Sequence, residues 1–278
     1  MFNQLEILSD EQNEKLKKLR NYIKHLKRVC VAYSGGVDST LVTSIACEQL
    51  GSNAIAVTGV SPALANSLLE EARCQAKWIG IKHLEIETSE LDQKSYSKNP
   101  KDRCFACKKE LHKHTTYLSK KLNFQNVLDG VNLDDLEDYR PGIHAAKKAG
   151  VISPLAEFSF SKQDIRDISK ALGFPWWDKP AQPCLSSRFP YGQEITSERL
   201  KMVEKAEEYL KKGGIAEVRV RCQGSTARIE IPKNELKRFF NNYNLNELVK
   251  YFSRLGFNCT SLDLEGLVSG KLNREKSH

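Results

Sequence analysis

The sequence predicts an α/β protein: a doubly wound parallel sheet followed by a small C-terminal α+β unit. Three observations carry that prediction. Short, uninterrupted apolar runs at residues 29–32, 54–57 and 127–128 read as strands buried on both faces. The stretches between them hold apolar residues at helical spacing, so strand and helix alternate and the strands run parallel. Beyond Ser197 a charged amphipathic helix and two alternating runs about Gln223-Gly224 depart from that rhythm and mark a second unit. The boundary is expected near residue 190, giving domains over 1–190 and 191–278, the second serving substrate binding or oligomerisation.

Residues 15–28 concentrate lysine and arginine while Leu16, Leu19, Ile23 and Leu26 keep a helical spacing. A helix with a solvated basic face is expected, with an RNA-binding face as the alternative. The first strand follows, then a helix over 38–50 that Gly51 ends, then the second strand at 54–57. Pro62 is expected to open a helix that runs to about Ile79, and Gly80 stops it before a strand at 83–86. Residues 111–122 read as a helix and 127–130 as a strand. The stretch from Gly130 to Gly142, with Asp134, Asp135, Glu137 and Asp138, is too acidic for core and reads as an active-site loop at a strand's carboxyl end.

Ser161 caps a helix over 162–172, and residues 173–180 break all periodicity. In the second unit a helix over 197–212 ends at Gly213-Gly214, strands follow at 217–221 and 227–231, and a helix near 246–255 precedes a strand near 260–264.

A chain of 278 residues can bury a substantial core. It carries no long apolar span and no signal-peptide-like start, so a cytoplasmic protein away from the membrane is expected. Eight cysteines there argue for core residues and ligands over a disulfide framework. The net charge of +8 admits an anionic partner, whether a nucleotide, a phosphorylated small molecule or a nucleic acid.

The chemistry begins at Ser34-Gly35-Gly36-Val37-Asp38-Ser39-Thr40, where the first strand turns into a helix. The two glycines let backbone N–H groups approach an anion, and the hydroxyls of Ser34, Ser39 and Thr40 add donors at the positive end of the helix dipole. Asp38 would repel a bare phosphate; it suits a magnesium ion that bridges phosphate oxygens. A purely structural turn is the alternative. No lysine closes the loop as in G-x-x-x-x-G-K-[ST]. Gly130 could let a base or ribose lie on bare backbone. The Ser-Gly-Gly-x-Asp-Ser pattern resembles the PP-loop of ATP pyrophosphatases. That resemblance implies cleavage of ATP between the α- and β-phosphates, transfer of AMP to a substrate oxygen, and displacement of AMP by a nitrogen or sulfur nucleophile.

Cys104 and Cys107 form a C-x-x-C pair at a helix start, where the dipole and neighbouring cations favour thiolates. Cys184 lies in a loop stiffened by Pro183, Pro190 and Gly192. Three candidate ligands suit a site with one open position: a three-cysteine iron–sulfur cluster, zinc or a redox dithiol. The remaining cysteines, at 30, 47, 74, 222 and 259, are expected to be small buried hydrophobes. Arg219 and Arg221 share one strand face and Arg188 follows a serine pair, a set suited to a phosphate or carboxylate, or to surface salt bridges. Glu207 and Glu230 could partner these arginines or a metal.

With the glycine loop, Asp-Gly-x-Asn-x-Asp-Asp…Asp-Tyr-Arg-Pro-Gly, Ser-Ser-Arg-Phe-Pro-Tyr-Gly and Val218-Arg219-Val220-Arg221 in hand, the chain resembles the LarE family from Val29 to Asn273. These are ATP-dependent sulfur transferases of nickel-pincer nucleotide synthesis, which serves lactate racemase. The resemblance implies that a carboxylate of a pyridinium dicarboxylate mononucleotide is adenylated and that sulfur then displaces AMP. Ser34, Gly35, Gly36, Asp38 and Ser39 match the family's ATP loop. Ser187, Arg188, Arg219 and Arg221 match its substrate-phosphate region, and Glu207 and Glu230 its acidic positions. One branch sacrifices the sulfur of a cysteine four residues before the serine of Ser-Arg; here that position is Pro183. Cys184 and the C-x-x-C pair resemble the other branch, in which three cysteines hold a 4Fe-4S cluster that carries an extra sulfide.

The implied cofactors are ATP, Mg2+ and the cluster, and the implied partners are the mononucleotide, a sulfide or other sulfur donor, and further copies of the chain in a homo-oligomer. A PP-loop tRNA thiolation enzyme is the rival reading, and a non-catalytic nucleotide-binding module a third. Nothing in the small unit matches an RNA-binding signature, and an Arg-x-Arg strand suits a single phosphate.

Overall fold

The computed structural model describes residues 2–137, 141–268 and 270–271. The chain divides into two compact units, Met1–Glu90 with Asp102–Gln182, and Leu91–Lys101 with Pro183–His278.

The first unit is built on four parallel strands, β1 (Val29–Ala32), β2 (Ala54–Val60), β3 (Lys82–Glu87) and β4 (Asn126–Leu128), in the order β3-β2-β1-β4. The order reverses after β1, which makes the sheet doubly wound and puts the carboxyl end of β1 at the reversal. Alternation along β1 divides the core. Val29 and Val31 face the helices Asp10–His25, Val37–Leu50 and Lys162–Ala171 through Leu16, Leu19, Leu41, Ile45, Ile165 and Ile168. Cys30 faces the other way with Ile55, Val57 and Val127, against Leu118 and Leu122. Burial pushes the Cys30 thiol up to about 12, so it behaves as a small hydrophobe. Cys222 is buried as well, but Cys74 and Cys259 are exposed, contrary to expectation.

Several boundaries differ from the sequence reading for local reasons. The first helix begins at Asp10 because Ser9 and Gln12 form a reciprocal capping box. The third begins at Asn66, not Pro62. The Ser61 hydroxyl donates to Glu90 at 2.6 Å and accepts from the Ala63 N–H at 3.3 Å, which closes a turn over Pro62 instead of capping a helix there. The helix read over 111–122 starts eight residues earlier, as Arg103–Lys121, and the acidic loop holds a short helix at Leu133–Glu137 before Pro141–Lys148. Asp138, Tyr139 and Arg140 of the loop motif, and Asn273, lie outside the described residues.

The second unit is a three-stranded sheet, β5 (Arg219–Gln223), β6 (Thr226–Glu230) and β7 (Cys259–Leu262), with β5 antiparallel and β7 parallel to β6. Helices Ser197–Lys212 and Leu245–Leu255 cover it, and Leu236–Asn242 is a further helix that apolar spacing did not single out. No helix among the described residues is long and apolar enough to cross a membrane.

Candidate functional site

Two polar constellations stand out, one in each unit. In the first, the turn after β1 is built by glycine. Gly35 holds φ +70° and a Cβ there would lie 3.1 Å from that of Ala72. The hydroxyls of Ser34 and Ser39 stand 3.1 Å apart across the turn. Thr40 points inward: its hydroxyl lies 2.8 Å from the Gly36 carbonyl and 3.1 Å from Gln75 Oε1, which also accepts from the Tyr33 hydroxyl at 2.9 Å. A buried polar bracket therefore underlies the loop and leaves Ser34 as its exposed hydroxyl. Gly130, at the end of β4, is needed for close approach, since a Cβ there would meet the Ser39 amide nitrogen at 2.5 Å. The bare Cα lets the strand end abut the start of the loop helix.

Asp38 is where the later chain returns to the loop. Its Oδ1 accepts from Asn132 Nδ2 at 3.2 Å and its Oδ2 from Lys162 Nζ at 2.5 Å. Lys179 donates to the Gly35 carbonyl at 3.2 Å and pairs with Glu71. Two lysines thus supply, from more than a hundred residues away, the cations that the loop's own sequence lacks. Sequence reasoning missed both, and the only signal was that Lys162 follows the Ser161 cap. The acidic loop is partly committed to structure. Asp135 accepts from the Asn132 N–H at 3.3 Å, and Asp134 accepts from the Lys162 N–H. Asp129, almost fully buried below Gly130, has its carboxyl pushed up by burial, against its hydrogen bonds to Ser153 and the Val131 N–H.

The second unit gathers the predicted arginines and glutamates around β5. Arg188 forks onto Glu207 at 2.8 and 3.0 Å, with both side chains over nine-tenths buried. Its remaining nitrogen donates to the Pro183 carbonyl and to Ser187 Oγ, at 2.9 and 2.8 Å. Arg221 reaches Glu230 at 3.0 Å and donates to the Ser187 carbonyl. Glu230, fully buried, also accepts from Arg228 at 3.3 Å. Arg219 lies directly across from Glu230 in the ladder, yet that carboxylate is taken. Among the described residues no side-chain hydrogen bond or ion pair reaches the Arg219 guanidinium. Burial lowers its pKa, and the neighbouring Arg188 and Arg221 lower it further. Burial would also lower that of Arg188, but Glu207 outweighs it. Glu230 and Glu207 act on Arg219 only at a distance, so among the described residues it is the cation of this cluster that no carboxylate pairs directly.

No protein-family model matches the chain. It is 35% identical over 254 residues to the pyridinium-3,5-bisthiocarboxylic acid mononucleotide synthase of Lactiplantibacillus plantarum, covering 90% of this chain and 91% of that one. The chain belongs to the LarE family. It is also 54% identical over 260 residues to an uncharacterized Synechocystis protein, covering 94% of this chain and 97% of that one. With an uncharacterized protein of Methanocaldococcus jannaschii it shares 33% over 255 residues, 91% and 96% of the two chains.

In this LarE-family chain Cys104 and Cys107 occupy the first turns of Arg103–Lys121, one helical turn apart and thus on one face. Cys104 is exposed and Cys107 half-buried. Cys184, half-buried, precedes the 3-10 turn Leu185–Arg188 in the other unit. Among the described residues no three His, Cys, Asp or Glu side chains are gathered closely enough to hold a metal ion.

Proposed function

We propose that the chain is an ATP-dependent sulfur transferase that adenylates a carboxylate of a pyridinium-3,5-dicarboxylate mononucleotide and replaces AMP by sulfur, giving a thiocarboxylate. The observation that carries the reading is Arg219, a half-buried guanidinium without a side-chain partner, in a chain whose relative is a synthase of a sulfur-bearing mononucleotide. A mononucleotide brings one phosphate. The free charge in the Arg188–Arg219–Arg221 cluster matches it, while Glu207 and Glu230 hold the outer two arginines.

In this reading the first unit is the ATP-handling domain and the second the substrate-binding domain. The Gly35 and Gly36 backbone and the Ser34 and Ser39 hydroxyls receive the ATP phosphates at the helix start. Asp38 and these hydroxyls present the hard oxygen donors that magnesium takes, so the donor chemistry fits, and Asp38 would hold the ion. Bound there, magnesium would offset the charge that develops on the phosphates. Lys162, freed from Asp38, would turn to the same phosphates.

The thiols of Cys104, Cys107 and Cys184 are the donor type that iron takes. By donor type, though not by their present grouping, they suit a 4Fe-4S cluster, which when bound would carry the transferred sulfide. Adenylation makes the carboxylate carbon electrophilic; the incoming sulfur forms the new C–S bond as the C–O bond to AMP breaks.

Anaerobically purified protein given ATP, the mononucleotide and sulfide is expected to release AMP and pyrophosphate and to form thiocarboxylate product by mass spectrometry. Replacing Cys104, Cys107 or Cys184 by serine is expected to lower bound iron and sulfur transfer together. Full single-turnover transfer by iron-free protein, with residue 184 converted to dehydroalanine, would refute the cluster.

A further inference from the structure

The segment Leu91–Lys101 lies between two stretches of the first unit in sequence, yet it folds as part of the second. It is a strap of one short helix, Lys94–Ser97, and a buried Asn99, and it sends several polar contacts to residues 186–195. The Tyr96 hydroxyl meets Ser186 Oγ at 2.6 Å, with both residues at or below 1% exposure. Asn99 Nδ2 donates to the carbonyls of Phe189 and Pro190, at 3.3 and 2.7 Å. Backbone bonds add to this: Gly192 N–H to the Asn99 carbonyl at 2.9 Å, and Ile195 N–H to the Ser97 carbonyl at 2.8 Å. The strap therefore holds, from one side, the same turn that Arg221 holds from the other through the Ser187 carbonyl.

The residue type at 99 follows from these demands. Its φ of +53° is the left-handed region, which glycine, asparagine and aspartate reach at least cost. Of the three, only asparagine brings N–H donors to two carbonyl oxygens; glycine brings nothing, and aspartate would face both carbonyls with another acceptor. Polar groups this deeply buried are costly unless fully paired, so a paired network of this kind fixes a single geometry.

We propose that Tyr96 and Asn99 are positioning residues for the anion site, holding the turn that presents Ser187 and Arg188 beside Arg219. The inference rests on the reading of that cluster as the mononucleotide-phosphate site. Without the strap the turn must be ordered at the moment of binding, and that cost appears as lost affinity.

The test is calorimetric titration with nicotinic acid mononucleotide, a pyridinium mononucleotide, and separately with ATP, alongside thermal unfolding. Asn99→Gly keeps the backbone conformation and removes both donors; it is expected to weaken mononucleotide binding about tenfold, the equivalent of one to two net hydrogen bonds, and to leave ATP binding unchanged. Tyr96→Phe is the milder variant should Asn99→Gly fail to fold, and a weakening of several-fold is expected. Adding Ser186→Ala to Tyr96→Phe should restore part of the stability, because the Ser186 hydroxyl is then no longer left without its Tyr96 partner, while the affinity stays low. A lower melting temperature with unchanged mononucleotide affinity in these variants would reduce the strap to a structural role. If the wild-type protein bound ATP but no mononucleotide, the reading of the anion site itself would fall, and the proposal with it.

Discussion

Removing Arg219 and removing Arg221 should fail in opposite ways, although the two side chains share one face of one strand. Arg219 has no carboxylate to leave behind, so Arg219→Ala costs the fold chiefly the packing of its half-buried stem, about 1 kcal/mol. On the proposed reading it also removes a charge-assisted contact to the substrate anion, about 1.5–3 kcal/mol and hence roughly a ten- to hundredfold rise in KM for the mononucleotide. If that contact is equal in ground and transition states, kcat stays. Arg221→Ala instead strips the main partner from Glu230, a carboxylate with no exposure, and leaves it Arg228 alone. Breaking a buried pair from one side costs about 3–5 kcal/mol, enough to be read as a large shift in a urea transition. Steady-state kinetics varying the mononucleotide and ATP separately, with urea unfolding of both variants, checks the contrast. An unchanged mononucleotide KM in Arg219→Ala, or a wild-type urea midpoint in Arg221→Ala, would show that the charges are divided otherwise.

Other perturbations follow from the first unit. Asp38→Ala is expected to abolish pyrophosphate release without unfolding the protein, because the Asp38 side chain is itself partly exposed and bonds one neutral amide, the buried Asn132, and one partly exposed cation, Lys162; circular dichroism and a pyrophosphate assay decide it. Lys162→Ala should raise the KM for ATP about tenfold while leaving the mononucleotide KM alone, the loss of one charge-assisted contact; an unchanged KM for ATP would place Lys162 in the fold only. His112 is fully buried with neither ring nitrogen hydrogen-bonded, and burial first, then Lys108, pushes its pKa down to about 4. The unfolded chain therefore takes up a proton near pH 6.5 while the folded one does not, so stability is fully present above that pH and is lost as pH falls towards 4, by at most about 3 kcal/mol. Urea midpoints between pH 7 and 4.5 should fall for the wild type and flatten in His112→Leu.

What the sequence disclosed and what it hid divide along a physical line. The parallel sheet was legible because Val29, Cys30 and Val31 are apolar in succession, which only a strand covered on both faces tolerates. The loop was legible because its glycines answer local geometric needs, φ +70° at Gly35 and the close approach of Ser39 at Gly130. The alternation of Arg219 and Arg221 disclosed their common face but not which of them would be neutralised. That depends on Glu207 and Glu230 arriving from a helix and a neighbouring strand, so the charge that neither of them pairs became visible only by subtraction. Lys162, Lys179 and Asn99 were invisible for the same reason, each acting on a segment ninety or more residues away. Local rules also misled where a tertiary partner competed: the Pro62 start signal lost to the pull of Glu90 on Ser61. On the proposed reading both constellations share one construction, in which sequence-local backbone shapes an anion site and distant side chains set its charge. That is why substitutions at distant positions such as Asn99 and Lys162 discriminate best between a site built for ligand and a turn built for the fold.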